Sequence, residues 1–185
     1  MTARRRSARI PRINPRGGGW PRLAEGNAVL KFDHFDGEVA EAMRQGTLNP
    51  PGSGRGGLPA FLKIETTSVE PGRLTCGLPV TEELLNPFGA AHGGVVSALI
   101  DHALGAVCFP VIPRGSWPAT QEFKINFLAP ARVGRMEAEA HIVAMSKRTA
   151  IVRIDVTNGG RLVCAAQGTV AVMPPKPKAA AGDAP

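Results

Sequence analysis

The sequence predicts an α+β fold in which a mostly antiparallel sheet curls around one long helix. Apolar residues between 93 and 108 occupy nearly all sides of a helix, so that helix needs cover on most of its surface. From residue 61 onward the apolar residues mostly alternate, which is the period of strands with one buried face. Strands that dominate after one buried helix, rather than alternating with helices, indicate the α+β class.

Each element is predicted from its periodicity and its turn residues. A first helix is expected over 33–48, where Asp33 or Asp36 can cap the first turn. Three of the last four strands are expected to pair as a meander, because short turns such as Asn158-Gly159-Gly160 join them. Besides the central helix, strands are expected over 61–69, 73–80, 120–128, 136–145, 149–157 and 162–172.

Composition divides the chain into four segments. Residues 1–28 are rich in Arg, Gly and Pro and are expected to be disordered, because they cannot bury enough surface to offset the entropy of ordering. Residues 29–58 should hold the first helix and a Gly-rich loop positioned to cover a pocket. Residues 59–174 form the main domain, and 175–185 a disordered tail.

The net charge of +7 does not predict a nucleic-acid-binding domain. The leader carries +6 and residues 176–185 carry +1, so residues 29–175 are neutral overall and have no excess charge for a phosphate backbone. A nucleic-acid partner would rest on the leader alone and is the weakest hypothesis. No membrane span is expected, because Asp101 and His102 interrupt the longest apolar run. Three widely spaced cysteines without a C-x-x-C pair suit a reducing, cytoplasmic location.

The stretch Asn86–Cys108 carries the strongest functional signal. Gly93-Gly94 opens a helix, although glycine is a poor helix former, and it permits close approach to the backbone. Asp101 lies among apolar residues in mid-helix, where a buried carboxylate needs a partner or a function. Both features indicate a site rather than a purely structural helix.

The pattern N-x-x-G-x-x-H-G-G-x-x-x-x-L-x-D from Asn86 to Asp101 resembles the PaaI-type thioesterases of the hotdog-fold (4-hydroxybenzoyl-CoA thioesterase) superfamily. The likeness continues through 123–130, 147–150 and 158–162, and covers roughly 60–173. It implies a five- or six-stranded antiparallel sheet wrapped around the central helix, so that 59–174 is a hotdog thioesterase domain. It also implies hydrolysis of acyl-CoA without a cofactor, since coenzyme A is part of the substrate, in homodimers or dimers of dimers with the active site at the dimer interface.

The resemblance assigns the oxyanion donor to the Gly93 N–H, at a helix N-terminus whose free N–H groups favour negative charge. Asp101 is then the general base for water or a nucleophile that forms a mixed anhydride, and the sequence does not choose between them. Gly93 and Asp101 lie about 12 Å apart along one helix. That separation favours a site composed from two chains. The structural alternative for Asp101 is a buried carboxylate that caps a loop or pairs with an arginine.

The other candidates each have a structural alternative. Asn86 resembles a family Asn that holds the carboxylate or its water, or it forms an Asx turn before a proline. His92 orients the turn or contacts the substrate, or it only closes the loop. Thr120 matches a Ser/Thr position that helps to place the water. Ser97 and Gly94 lie where small residues let a substrate or partner come close, and His102 is expected to be a core or interface residue.

Lys147 and Arg148 are candidates for binding the phosphates of coenzyme A, with Arg132 and Arg135 as weaker ones; the alternative for each is an exposed surface charge. No metal is expected, because the histidines and cysteines show no ligand spacing. A serine hydrolase is not expected either, because G-x-S-x-G is absent.

Two other functions remain open on the same fold. A non-catalytic acyl-CoA-binding protein would keep the fold without the chemistry, although the retained His92-Gly93-Gly94 and Asp101 speak against it. An acyl-CoA hydratase or dehydratase would present Asp-x-Asn-Pro-x-x-His at the start of the helix. Here Asn86-Pro87 lacks the preceding Asp, and His92 falls too late.

Overall fold

The structure, a computed structural model, describes residues 30–48 and 56–175. The predicted disordered leader and most of the predicted Gly-rich loop and tail lie outside the described residues. The helices are α1 (Gly37–Arg44), α2 (Gly57–Phe61) and α3 (Gly93–Ala106), with short 3-10 turns at Glu82–Leu84 and Phe109–Val111. The strands are β1 (Glu65–Glu70), β2 (Arg73–Val80), β3 (Trp117–Phe127), β4 (Gly134–Met145), β5 (Thr149–Asn158) and β6 (Arg161–Met173).

The six strands form one antiparallel sheet in the order β1-β2-β4-β5-β6-β3. The last three strands pair as the predicted meander, and β3 pairs with β6 to become an edge strand. Side chains alternate between buried and more exposed positions over residues 136–142 of β4, as in Ala138, Ala140 and Ile142, and over residues 149–156 of β5. The α+β prediction is therefore confirmed, with six strands around a central helix.

Helix α3 packs one face into the concave side of the sheet. Its fully buried side chains are large, and they meet the inward residues of β2, β4, β5 and β6. The opposite face carries small residues and stays open in the single protomer. The helix is nevertheless covered on most sides, as predicted, because only Gly94 and Asp101 among residues 93–106 are exposed and β3 lies along part of the small-residue face. The buried face comprises Val96, Leu99, Ile100, Ala103, Leu104 and Ala106.

Two strands, β1 and β3, begin clearly away from their predicted starts for local reasons. The first strand begins at Glu65 rather than at Phe61, because a short helix occupies Gly57–Phe61 and Lys63 then adopts a left-handed backbone with φ of 54°. Strand β3 begins at Trp117, before the predicted start at residue 120. It tolerates Pro118 because an edge strand pairs on one side only.

Helix α1 is shorter than predicted and is tied to the loop that follows α3. Asp36 caps it by accepting hydrogen bonds from the Glu38 and Val39 N–H groups, both at 3.1 Å. The same buried carboxylate pairs with Arg114, whose Nε lies 2.5 Å from Oδ2. The arginine and the capping N–H groups lower the pKa of Asp36 to about 2.

Within the described residues, one helical stretch, Gly93–Val111, is long and apolar enough to cross a membrane by composition. This stretch is α3 with its C-terminal extension, and just over half of its surface is buried within the protein. The three cysteines, Cys76, Cys108 and Cys164, are free and fully buried, as expected for small core residues.

Candidate active site

A groove runs between the open face of α3 and the edge strand β3. The two elements are antiparallel, so the N-terminus of α3 lies beside the end of β3, where Phe127 approaches Gly93. Asp101 and Thr120 line the middle of the groove and divide it into two clefts. Of the candidates predicted from the sequence, Gly94, Ser97, Asp101 and Thr120 are thus brought together in one protomer.

The Asp101 carboxylate is exposed in the protomer, which corrects the expectation of a buried acid. It makes no hydrogen bond or ion pair with any residue in 30–48 or 56–175, so it neither caps a loop nor pairs with an arginine there. Its neighbours along this helix face are small, which leaves the carboxylate oxygens accessible. A free carboxylate of this kind can accept a proton from water or attack an electrophilic carbon.

His92 is the N-cap of α3. Its Nδ1 accepts a hydrogen bond from the Gly94 N–H at 3.1 Å, which places the proton of the neutral ring on Nε2. The Gly93 N–H has no acceptor in the described part of the chain. The first turn of the helix therefore presents one free donor toward solvent, in the position where a helix N-terminus favours an anion.

Asn86 forms the Asx turn that was one of its two predicted roles. Its Oδ1 accepts hydrogen bonds from the N–H groups of Phe88 at 2.9 Å and Ala90 at 3.2 Å. Arg132 reinforces the same turn by donating to the Gly89 carbonyl at 2.6 Å. Asn86 therefore shapes the loop that leads into His92, and the structure leaves its contact with a catalytic water untested.

Ser97 also has a local partner. Its hydroxyl donates to the Gly93 carbonyl at 2.8 Å, one turn back along the helix. This bond keeps the side chain close to the helix and leaves room above Gly94. A methyl group added at Gly94 would lie 3.3 Å from His92 Nδ1, so a larger residue there would press on the cap.

The cationic candidates differ in whether their side chains make hydrogen bonds or ion pairs within the protein. Lys147 and Arg148 lie in the exposed turn between β4 and β5, where the Ser146 hydroxyl accepts from the Arg148 and Thr149 N–H groups. Arg132 is held by the Asn86 turn, and Arg135 pairs with Glu65 and Glu137. The two weaker candidates thus have structural roles, whereas the turn at 146–148 leaves its cations at the surface.

His102 lies beside Asp101 and is half-buried, as predicted for a core or interface residue. Burial lowers the pKa of His102, and the Asp101 carboxylate only partly opposes that effect. His102 lines the cleft at the C-terminal end of α3, so it faces the same groove as Asp101.

Several groove residues were not predicted from the sequence. Phe109 and Pro118 line the cleft at the C-terminal end, and Gln121 and Glu122 line the other. The four-residue spacing from Ser97 through Asp101 could have been extended to Phe109, but nothing local indicates that β3 lies alongside. Phe123 also lines the groove, whereas Phe88 projects into solvent, 87% exposed.

Among the described residues, no three His, Cys, Asp or Glu side chains converge in a way that could hold a metal ion. Burial raises the pKa of the Cys76 and Cys108 thiols to about 12. These thiols are therefore not activated as nucleophiles, whereas Asp101 presents an accessible carboxylate in the groove.

Comparison with known proteins identifies consistent similarities. The sequence pattern described as the thioesterase superfamily matches residues 88–165. The chain is 30% identical over 107 residues to human acyl-coenzyme A thioesterase 13, covering 57% of this chain and 76% of that protein. It is 33% identical over 117 residues to the 1,4-dihydroxy-2-naphthoyl-CoA hydrolase of Listeria monocytogenes, covering 63% of this chain and 95% of that protein.

Solved structures match the same region. A mutant thioesterase from Staphylococcus aureus is 29% identical and superposes with a TM-score of 0.61, covering 63% of this chain and 98% of that one. The E. coli PaaI protein is 24% identical with a TM-score of 0.59, covering 63% of this chain and 84% of that one, and shows the common fold.

Proposed function

Because the chain belongs to the thioesterase superfamily and is a thioester hydrolase, we propose that it hydrolyses acyl-coenzyme A at the groove between α3 and β3. The observation that carries this proposal is the accessible Asp101 carboxylate beside Thr120 in that groove, which has no hydrogen-bond or ion-pair partner among residues 30–48 and 56–175. The names of two relatives, acyl-coenzyme A thioesterase 13 and a naphthoyl-CoA hydrolase, support a coenzyme A thioester as the substrate. The reaction needs no cofactor beyond the coenzyme A of the substrate itself.

Asp101 starts the reaction in one of two ways. As a general base it takes a proton from water, whose oxygen attacks the thioester carbonyl carbon. As a nucleophile it attacks that carbon itself, and water then opens the mixed anhydride. In both cases the C–S bond breaks, the thiolate of coenzyme A leaves and takes up a proton, and the free acid forms. Thr120, on the opposite wall, positions the water, and Asn86 acts through the loop that it holds.

The Gly93 N–H stabilises the oxyanion that develops on the thioester carbonyl. Its availability supports this role, because His92 occupies the neighbouring Gly94 N–H and leaves the Gly93 donor unused in the described chain. His92 is thus a positioning residue that fixes the first turn of α3. Gly94 and Ser97 have small side chains that project little from the helix, so the thioester can approach the backbone.

The active site is composed from two protomers. Gly93 lies beside Phe127, whereas Asp101 lies beside Thr120, near the other end of β3. Antiparallel pairing of two free β3 edges would set the Phe127 end of one copy against the Thr120 end of the other. The oxyanion donor of one chain would then approach the carboxylate of its partner, which removes the separation of about 12 Å within one helix. A dimer of dimers is compatible with this arrangement.

The same two-fold arrangement gives the exposed turn at 146–148 a role. This turn lies in register with the start of β3, because Thr149 pairs with Ala171 and Ala171 with Ala119. In the dimer, Lys147 and Arg148 of one copy would lie toward the N-terminal end of the other copy's groove. They would then be available to bind the phosphates of coenzyme A.

The test measures release of the coenzyme A thiol from short-chain, long-chain, phenylacetyl and benzoyl thioesters. Asp101→Asn and Asp101→Ala are compared with wild type, and Asp33→Asn, which changes an exposed carboxylate ahead of α1, is the matched control. We expect a rate loss of about 10²–10⁴ in the Asp101 variants and none in the control. Binding of acyl-CoA without hydrolysis would establish the non-catalytic function instead, and full activity in folded Asp101→Ala would refute the mechanism.

A further inference from the structure

A buried ion pair ties α1 to the connecting segment, residues 109–116, which lies between α3 and β3. In the part of the chain that the structure describes, Asp36 is the only charged residue that is buried. Its carboxylate accepts hydrogen bonds from Arg114 Nε at 2.5 Å and Nη2 at 3.0 Å, across 78 residues of sequence. The Asp36 N–H donates to the Pro110 carbonyl at 2.7 Å. One residue of α1's N-terminus therefore holds the connecting segment at two points.

The connecting segment carries part of the groove wall. Phe109 lines the groove together with Asp101 and Thr120. The segment belongs to no strand or α-helix, and the Val111 and Ser116 N–H groups close two short turns with bonds of 3.0 Å. The position of this wall therefore depends on contacts that the segment makes with the rest of the protein.

Capping of α1 does not by itself require a charge at residue 36. Asparagine caps helices about as well as aspartate and could accept the same hydrogen bonds from the Glu38 and Val39 N–H groups. What the carboxylate adds is the pair with Arg114, whose planar guanidinium can give two N–H donors to one carboxylate. The match to the thioesterase superfamily spans 88–165. The pair thus joins an element outside the matched region to a segment inside it.

We propose that Asp36 and Arg114 are positioning residues that hold the Phe109 wall of the groove in place for substrate binding. This inference rests on the proposed function. The pair touches no reacting atom, because the catalytic carboxylate is carried by α3 and Thr120 is held by the pairing of β3 with β6. Loss of the pair therefore loosens the wall and weakens substrate binding, while the chemical step is nearly unchanged.

The experiment measures kcat and KM separately, with the best thioester of wild type, in Asp36→Asn, Arg114→Met and the double variant. Glu41→Gln is the matched control, because it removes an exposed ion pair with Arg44 at the other end of α1. We expect each single variant to raise KM about 10-fold and to keep kcat within about 3-fold of wild type, since remote misplacement weakens binding and leaves the catalytic groups in position. The double variant should go no further than the singles, because all three lose the same contact.

Hydrogen exchange of the Val111 and Ser116 N–H groups follows the connecting segment without any substrate. We expect faster exchange in Asp36→Asn and Arg114→Met well below their melting temperatures, and unchanged exchange in Glu41→Gln. Lower melting temperatures with wild-type KM and wild-type exchange would make the pair a stabilising contact only and overturn the proposal. A loss in kcat at unchanged KM would overturn it too. Wild type that hydrolyses no thioester would refute the proposed function, and unchanged exchange would still overturn the positioning role.

Discussion

Replacing Gly93 by proline removes one backbone N–H and disturbs little else. Gly93 is the first residue of α3, the helix position where proline is best tolerated because its missing N–H has no partner within the helix. His92 has φ of −59° and ψ of 137°, the extended backbone that a residue before proline prefers. A Cβ at Gly93 would lie 3.4 Å from Phe127 Cζ, which is an ordinary contact.

The expected magnitude follows from the role of the lost donor. Removal of one oxyanion donor typically lowers kcat by about 10²–10³, or about 2.7–4 kcal/mol. Gly93→Ala adds the same Cβ but keeps the N–H, so it should retain most of the activity. The His92–Gly94 hydrogen bond that caps the helix persists in both variants. Their melting temperatures should therefore stay close to that of wild type.

The assay follows release of the coenzyme A thiol from the best substrate of wild type, with a melting curve for each variant. If Gly93→Pro folds and keeps activity within a few-fold of wild type, the Gly93 N–H is not the oxyanion donor. Equal losses in Gly93→Ala and Gly93→Pro would show that added bulk, rather than the lost N–H, is responsible.

Three further predictions concern stability and reactivity. Gly168→Ala should lower the melting temperature, because its Cβ would lie 2.7 Å from Phe123 Cβ, and overpacking costs about 1–3 kcal/mol; a melting curve unchanged from wild type would contradict this. Because the pKa of Asp36 is lowered from 3.8 to about 2, its stabilising contribution is complete above pH 3.8 and is lost as the pH falls through 2. The melting-temperature difference between wild type and Asp36→Asn should therefore be constant near neutral pH and shrink toward pH 2. Cys76 and Cys108 should react with a thiol reagent only after unfolding, so prompt labelling of the native protein would refute their burial.

The strands were predictable where turns mark their ends. The predicted strand 73–80 coincides with β2, because a tight turn at Gly72, where φ is 68°, immediately precedes it. The predicted start of the first strand at Phe61 is wrong. Phe61 ends a five-residue helix and is 76% exposed, so its apolar character gave no information about burial.

The site was predictable as a set of residues but not as a shape. The glycine pair and Asp101 break the pattern of an apolar helix, and this exception can be recognised from the sequence alone. The groove depends on which strand lies beside α3. Since β3 is held there by its pairing with β6, a contact distant in sequence, no periodicity around residues 117–127 could reveal it.

The pairing of β3 with β6 also determines the stage of chain synthesis at which the groove can form. Trp117 pairs with Met173 and Phe127 with Cys164, so the wall that carries Thr120 has no sheet to join until the last strand is present. During translation, α3 and β3 are synthesised before β6. Their apolar surfaces would stay exposed until about fifty further residues have been added. Catalytic competence is thus coupled to completion of the chain, and any product that stops within β6 would carry every candidate residue and yet lack the groove.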